Sequence, residues 1–340
     1  MARNELLGEL LKNVSRSFYL SLRVLPSGLQ APAGLGYLLA RAADTIADTQ
    51  LVPSAQRLEL LLAFRAQVNG PVRELEVRRI AAALSAQQAD PHERRLLQSL
   101  APALALLDEL EEKDRAAVRQ VVTTLTTGME LDLTVFPLET SGQLAALETL
   151  ADLDRYIYLV AGCVGEFWTK ITMAHTPALR GWEEREMSAR GIRFGKALQM
   201  TNVLRDCPKD LSIGRCYLPR ERLNACGLAP EDLLKPENSA RAKPVLLELL
   251  RVTQEHYREA GRYILALPRR CVRLRLACLW PVVIGLGTLQ RLARTETWLD
   301  PAHRVMVPQG EVNRLLALSP PTVLSNTLTK RWLRGIESIS

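Results

Sequence analysis

Cysteine and histidine are sparse in this sequence, and neither forms the spacing of a zinc site. The chain of 340 residues has six cysteines and four histidines. No two cysteines form a C-x-x-C pair and the histidines are scattered, which argues against a zinc centre. The first ten residues also lack the apolar stretch of a secretory signal. We therefore expect free thiols and a cytoplasmic location.

The sequence has no apolar run as long as a bilayer requires. Its longest run, residues 276–289, has 14 residues, whereas a membrane-spanning helix needs about 20. The run also contains Pro281, Gly285 and Gly287. We therefore predict a buried core helix at this position.

Basic runs interleaved with aromatic residues, which would indicate a nucleic-acid partner, are missing. The net charge is nevertheless +7, which suits anionic substrates or an acidic membrane surface. One short segment, residues 330–334 (Lys-Arg-Trp-Leu-Arg), mixes basic and aromatic residues as interfacial segments do. We expect weak peripheral binding to the inner face of the membrane, with an ordinary amphipathic surface helix as the alternative. The sequence implies no obligate protein partner.

Strand patterns, internal repeats and Gly/Ser linkers are absent as well. Nearly every segment instead spaces its apolar residues near the helical period. The sequence therefore predicts one all-α domain over residues 1–340, with a core at about 5–292 and a less regular tail at 293–340. Pro32 is expected to open a helix, Pro208 to kink or end one, and Pro320 and Pro321 to break the pattern.

One predicted helix carries an acidic stripe. Tyr37, Arg41, Asp44 and Asp48 follow one another at steps of four, three and four residues, so they share one helical face. Two carboxylates one turn apart repel each other, and facing inward they would cost far more without a counter-charge. A divalent cation would remove that cost.

A second helix repeats the pattern. Gln199, Asn202, Asp206 and Asp210 again follow helical spacing, with Arg205 beside them. Surface ion pairing with Arg205 is the alternative interpretation. Two oxygen-rich stripes that face each other across a bundle would suit Mg²⁺ ions holding a phosphorylated substrate.

These and other motifs resemble the squalene and phytoene synthase family, the head-to-head prenyl transferases. The two stripes resemble its aspartate-rich motifs. Further matches are S-R-S-F at 15–18, E-K-D-R at 112–115, Tyr156 with V-A-G-x-V-G at 160–165, and G-R-x-Y-L-P at 214–219. The resemblance covers about 15–292 and is strongest to bacterial squalene synthases.

The resemblance implies the isoprenoid synthase fold, a helical bundle with a central cavity. It also implies two molecules of farnesyl diphosphate, Mg²⁺, and a cyclopropyl intermediate, presqualene diphosphate, which squalene synthases reduce with NADPH. Squalene synthase is the first hypothesis, and a dehydrosqualene or phytoene synthase that stops at the unreduced product is the alternative. A non-catalytic prenyl-lipid binding protein is a third hypothesis, which the complete acidic motifs disfavour.

The resemblance further implies roles for individual residues. The metal ligands, of which the aspartates are also catalytic, are Asp44, Asp48, Asn202, Asp206 and Asp210. Tyr156 is expected to assist proton removal or to steer the cation. The substrate-binding residues are Ser15, Phe18, Tyr37, Arg41, Lys113, Gln199 and Asn202. The residues expected to bind NADPH are Arg16, Arg41 and Arg205.

Two departures from the family pattern affect these expectations. The family often has an acidic residue just before its last aspartate, where this chain has Ala47. Squalene synthases also carry cations near the C-terminus for the NADPH phosphates. At the comparable place, residues 305–312, Met306 and Gln309 stand instead. Each missing charge-assisted contact is worth about 1.5–3 kcal/mol, so we expect weaker NADPH binding.

Overall fold

The computed structural model describes residues 3–15, 19–49, 52–136 and 143–337, and about 80% of the chain is helical. The predicted all-α class is confirmed. Within the described ranges the strands are β1 (Ala145–Ala146) and β2 (Arg215–Cys216). They pair in parallel, with Ala145 opposite Arg215 and Ala146 opposite Cys216.

The helices follow one another through short connections. The first eight are α1 (Leu11–Ser15), α2 (Tyr19–Arg23), α3 (Ser27–Asp48), α4 (Ser54–Asn69), α5 (Glu74–Ser85), α6 (Pro91–Gln98), α7 (Leu100–Asp108) and α8 (Glu112–Val135). The next eight are α9 (Leu150–Ile157), α10 (Cys163–His175), α11 (Glu184–Ser212), α12 (Arg220–Ala225), α13 (Ser239–Ala266), α14 (Val272–Arg294), α15 (Gln309–Val323) and α16 (Asn326–Glu337). Segments Glu5–Leu10 and Tyr158–Gly162 are π-helical, and Pro177–Leu179, Pro230–Leu234 and Pro236–Asn238 form 3₁₀ turns.

The chain forms two compact units. One comprises Met1–Pro137 and Phe167–Arg180, and the other comprises Leu138–Glu166 and Gly181–Ser340. The prediction of a single domain over residues 1–340 stays a prediction. In the first unit, α3 packs against α4, α7 and α8, because its apolar residues, such as Leu38, Leu39 and Ile46, are fully buried.

Helix α11 is central to the second unit. It packs against α13 and α14, and two hydrogen bonds fix its buried side. The Tyr257 hydroxyl lies 2.8 Å from Thr201 Oγ1, and Trp298 Nε1 donates to the Leu204 carbonyl at 2.8 Å. These bonds set the rotation of α11 and therefore which of its residues stay accessible.

Two glycines bring α11 against the segment that runs from 158 to 165. A Cβ atom at Gly165 would lie 1.8 Å from the carbonyl oxygen of Gly191, and one at Gly195 would lie 2.1 Å from that of Ala161. No side chain fits at either place, so the two backbones are in direct contact. The small residues near position 162 are thus explained by the close approach of a helix.

Proline proved a poor guide to helix ends. Helix α3 begins at Ser27, so Pro32 lies inside it rather than opening it. Likewise α11 continues past Pro208 to Ser212, and α15 contains Pro320 and Pro321. A proline costs about 3 kcal/mol in a helix interior, and in α3 and α11 burial of the flanking residues offsets that cost.

Helix α14 contains the predicted core run. By length and composition it is the one described helix that could cross a membrane, but 67% of its most apolar window is buried inside the protein. This burial agrees with the prediction of a core helix at 276–289.

Candidate active site

The first acidic stripe lies on the accessible side of α3. Between residues 31 and 48, the positions that are not buried are Tyr37, Ala40, Arg41, Asp44 and Asp48. All others in that range pack into the first unit, so the helix has one accessible face. The stripe predicted from spacing is present.

Arg41 is held between two carboxylates of the first unit. Its guanidinium donates to Asp44 and to Glu93 on α6. Glu93 also accepts from Gln88 at 3.1 Å and from Thr45 Oγ1 at 3.4 Å. Burial lowers the pKa of Arg41, but the negative charges of Asp44 and Glu93 outweigh it and raise the pKa. Arg41 therefore carries a positive charge, and its two carboxylate partners fix the orientation of its guanidinium group.

Asp44 and Asp48 form a mutually repelling carboxylate pair. Burial raises the pKa of Asp44 and the charge of Asp48 raises it further, to about 6, against the opposing effect of Arg41. The Asp44 side chain nevertheless keeps 40% of its surface exposed, so an ion from solvent can reach it. A bound cation would relieve this repulsion.

The second acidic stripe lies on the accessible side of α11. Gln199, Asn202, Asp206 and Asp210 are all outside the buried face, which consists of Met200, Thr201, Val203, Leu204, Cys207 and Leu211. Asn202 Nδ2 donates to Gln199 Oε1 at 3.4 Å. The predicted acceptors therefore do share one face of the helix.

Two arginines hold Asp206. The neighbouring Arg205 donates to it through two nitrogens, Nε at 3.0 Å and Nη2, and Arg304 Nη2 donates to it at 3.1 Å. Burial alone would raise the pKa of Asp206, but the hydrogen bonds and charges of these arginines dominate and lower it. Asp206 is thus ionised, and two cations stand beside the second stripe.

A profile of the squalene/phytoene synthase family matches residues 11–311 of the chain. The chain belongs to this family. Its enzymes are head-to-head prenyl transferases that act on prenyl diphosphates and generally use a divalent metal ion.

Family relatives include enzymes of both product types. The chain is 29% identical over 304 residues to a bifunctional lycopene cyclase/phytoene synthase of Pyrenophora tritici-repentis, covering 88% of this chain and 48% of the relative. It is 25% identical over 281 residues to a squalene synthase of Saccharomyces cerevisiae, covering 83% of this chain and 60% of the relative. The chain thus spans about half of these relatives' lengths.

The fold is that of solved family structures. The complex of TcSQS with the ligand E5700 superposes with a TM-score of 0.76, at 20% identity, over 96% of this chain and 88% of that one. The isoprenoid synthase fold expected from the resemblance is therefore present.

The chemistry of the donor set fits the family's divalent metal. In the parts of the chain that the structure describes, no three His, Cys, Asp or Glu side chains cluster closely enough to hold a metal ion by themselves. Each stripe does offer two carboxylates, and the second adds the amide oxygen of Asn202. Oxygen donors of this kind suit Mg²⁺, which keeps several waters and shares substrate phosphates as ligands. The repulsion between the Asp44 and Asp48 carboxylates, which raises the pKa of Asp44, would also be relieved by a bound cation.

Tyr156 is almost fully buried, at 5% exposure. Its ring stacks on that of Tyr217 with centroids 4.7 Å apart and an angle of 19° between the planes. Tyr217 comes directly after β2, which pairs with β1. Gly214, just before β2, has a φ of 81°, a backbone conformation that favours glycine. The tyrosine motif and the G-R-x-Y-L-P motif therefore meet in the second unit. The catalytic role of Tyr156 stays a prediction.

The remaining predicted substrate residues of the first unit have varied surroundings. Ser15 is buried, and its hydroxyl donates to the Leu11 carbonyl at 2.5 Å. The Tyr37 hydroxyl lies 3.5 Å from the Val14 carbonyl, and Lys113 is exposed in the first turn of α8. Arg16 and Phe18 lie outside the described residues. The binding roles of all of these residues stay predictions.

The E-K-D-R motif contains a buried polar contact. Asp114 is 6% exposed, and its Oδ1 and Oδ2 atoms lie 2.8 and 2.9 Å from His175 Nε2. This pair joins the start of α8 to the end of α10. The motif therefore has a clear structural role in addition to the binding role predicted for Lys113.

Glu93 and Arg304 were missed by the sequence analysis as site residues. Each contacts a stripe residue that is far away in sequence, at separations of 52 and 98 positions. No sequence signal marks either residue, because each contact depends on packing between segments far apart in the chain; the Glu93 side chain is only 14% exposed.

Proposed function

We propose that this protein is a squalene synthase, which joins two farnesyl diphosphates head to head through presqualene diphosphate and reduces the product with NADPH. The observation that carries the proposal is the first acidic stripe. Its carboxylates and Arg41 lie on the one accessible face of residues 31–48, which are otherwise buried, as binding of a metal-diphosphate group requires. The alternative is a dehydrosqualene or phytoene synthase.

The first chemical step is ionisation of an allylic diphosphate, which breaks a C–O bond and leaves a carbocation and pyrophosphate. Asp44 and Asp48 on the first unit, and Asn202, Asp206 and Asp210 on the second, would hold Mg²⁺, which when bound would neutralise the charge that develops on a leaving group. Arg41 beside the first stripe, and Arg205 and Arg304 beside the second, would add hydrogen bonds to diphosphate oxygens, and each would have to exchange a carboxylate partner for phosphate. Tyr156, which is buried and stacked on Tyr217, would assist removal of the proton or steer the cation.

The reductive step rests on the family resemblance. The three arginines predicted for NADPH do not form a ready phosphate site, because Arg41 and Arg205 pair with carboxylates and Arg16 is outside the described residues. Met306 is 54% exposed, and Gln309 donates to Asn313 at 3.0 Å. These contacts favour weak NADPH binding, and they are the reason to keep the non-reducing alternative.

Product analysis across an NADPH titration tests the proposal. With farnesyl diphosphate and Mg²⁺, we expect squalene at saturating NADPH and a dehydrosqualene fraction that grows as NADPH is lowered. The double substitution Met306→Lys with Gln309→Arg should lower the NADPH concentration needed, since it restores two cations.

Three outcomes separate the hypotheses. A C30 product that is unchanged at every NADPH concentration would move the assignment to dehydrosqualene synthase. Turnover of geranylgeranyl diphosphate in preference to farnesyl diphosphate would indicate phytoene synthase. Binding of either substrate with no product under any condition would favour the non-catalytic prenyl-lipid binding protein.

A further inference from the structure

Positive charge is concentrated in two stretches of the second unit. Residues 260–295 and 312–336 contain eleven Arg and Lys residues and no Asp or Glu, whereas the rest of the chain has 33 Arg and Lys and 37 Asp and Glu. Helices α13, α14 and α16, which carry most of these residues, pack against one another. The fold therefore gathers the whole positive excess of the chain on one part of this unit.

Most of these eleven cations have no counter-ion. Within the described ranges only Arg262 and Arg291 pair with a carboxylate, Glu259 and Glu311 respectively. In the described part of the chain, eight exposed cations lack such a partner. Six of them lie in two neighbouring places: Arg269, Arg270 and Arg273 where α13 leads into α14, and Lys330, Arg331 and Arg334 on α16. The other two are Arg294 and Arg314.

Arg275 forms hydrogen bonds to residues beside both of these places. Its guanidinium is fully buried, donates from Nη1 to the Leu267 carbonyl at 2.7 Å and from Nη2 to Thr329 Oγ1 at 3.3 Å, and leaves Nε without a partner. No described carboxylate reaches it. Burial lowers the pKa of Arg275, and the charge of Arg269 lowers it further. A buried cation with a second cation close to it adds to the positive potential of this surface.

The outer face of α16 is shaped for contact with a surface. Thr329 and Leu333 are buried, while Thr327, Arg331 and Arg334 follow one another at steps of four and three on the opposite side. An open groove of about 610 Å³ runs between this face and Leu265 of α13. Leu328, one turn before Arg331, is 49% exposed, and Leu324 just before the helix is 55% exposed.

We propose that this basic surface, formed by Arg269, Arg270, Arg273, Lys330, Arg331 and Arg334, docks the protein on an anionic phospholipid bilayer. The cations would contact headgroup phosphates, and Leu324 and Leu328 would enter the boundary of the acyl chains. Charge complementarity selects an anionic surface, and exposed leucines beside the cations select a lipid one. The surface is made of residues outside both acidic stripes, so the proposal stands independently of the catalytic assignment.

Vesicle co-sedimentation of the full chain tests the docking. We expect binding to vesicles of phosphatidylcholine with about 30% phosphatidylglycerol, little binding to phosphatidylcholine alone, and loss of binding as salt rises from about 50 to about 500 mM. Replacing Lys330, Arg331 and Arg334 together by Gln should weaken binding about 100-fold, from about five-fold for each cation. Leu328→Gln should weaken it about ten-fold.

A matched control variant tests whether the loss of any three positive charges weakens vesicle binding. Arg78→Gln, Lys235→Gln and Arg251→Gln together remove the same charge from exposed positions elsewhere and should leave vesicle binding within about two-fold. Equal losses in both triple variants would overturn the proposal, as would equal binding to neutral vesicles.

Two further readouts keep the result unambiguous. Competition by millimolar pyrophosphate at constant ionic strength would show a small-anion site instead of a bilayer surface. The α16 triple variant should melt like the parent and keep its turnover of farnesyl diphosphate without vesicles. Loss of that turnover in a folded variant would place α16 in the catalytic machinery and contradict the assignment.

Discussion

Arg304 donates a hydrogen bond of 3.1 Å to Asp206, although the two residues lie 98 positions apart in the chain. The second stripe therefore has a cation beside it that comes from the segment between α14 and α15. This segment is also where the family resemblance places NADPH contacts. Arg304 is accordingly the best candidate for a phosphate contact in this region.

Replacement of Arg304 by Gln should lower kcat/KM for farnesyl diphosphate about ten-fold. A charge-assisted contact is worth about 1.5–3 kcal/mol, and the 58% exposure of the Arg304 side chain reduces that value through solvent screening. Steady-state kinetics measure the effect. His303→Gln is the control, because His303 is exposed and its ring pairs with Asp300 rather than with a stripe residue. Unchanged kinetics in Arg304→Gln would remove Arg304 from the site.

Each of the substitutions Asp44→Asn, Asp48→Asn, Asp206→Asn and Asp210→Asn should lower turnover at least about 100-fold. This effect is comparable to the loss of one charge-stabilising group. The fold should survive, because removing a carboxylate relieves repulsion at Asp44 and leaves helix packing untouched. Product assays and circular dichroism on the same samples check both points. Asp108→Asn, at an exposed surface pair, should remain fully active, and parent-like turnover in Asp44→Asn and Asp206→Asn would refute the site.

Replacement of Glu93 by Gln should lower kcat/KM about ten-fold while the protein stays folded. The change leaves Arg41 with Asp44 as its one charged partner among those described here, so the direction of the guanidinium is less well fixed. It should also shift the Mg²⁺ dependence, since Glu93 contributes to the raised pKa of Asp44. Glu59→Gln, at an exposed pair with Arg79, is the matched control. Identical Mg²⁺ titrations for Glu93→Gln and the parent would show that Glu93 is structural only.

His256 should make the fold sensitive to acid. It is 4% exposed with Nδ1 unpartnered, and burial together with the charges of Arg193 and Lys196 lowers its pKa to about 4 against the effect of Asp154. The unfolded chain, with a pKa near 6.5, binds more protons in this range. Stability contributed by neutral His256 is therefore present above about pH 6.5 and is lost as pH falls to 4, up to about 3 kcal/mol.

Denaturant unfolding of the parent and of His256→Phe between pH 7 and pH 4 measures this contribution. The parent should lose more stability than the variant over that range, while His303→Gln should follow the parent because His303 is exposed. Parallel curves for parent and His256→Phe would contradict the assigned shift.

Both acidic stripes could be predicted from the sequence because helical spacing fixes which residues share a face. Residues 37, 41, 44 and 48 lie on one side of α3 and stay accessible, because Leu38, Leu39 and Ile46 lie on the opposite side and are buried. Glu93 and Arg304 could not be predicted, since their contacts depend on how distant helices pack. The prolines of α3 and α11 misled for a related reason: tertiary burial of these two helices outweighs a local preference.

The contacts at Gly165 and Gly195 limit how this protein can be changed by directed evolution. Because the carbonyls of Gly191 and Ala161 occupy the space that any Cβ would need, libraries that randomise either glycine should return mostly unfolded clones. Val164, next to Gly165, is 36% exposed and should accept many residues. The useful mutational freedom near Tyr156 therefore lies at alternate positions, and a library restricted to them should contain a far larger share of folded variants.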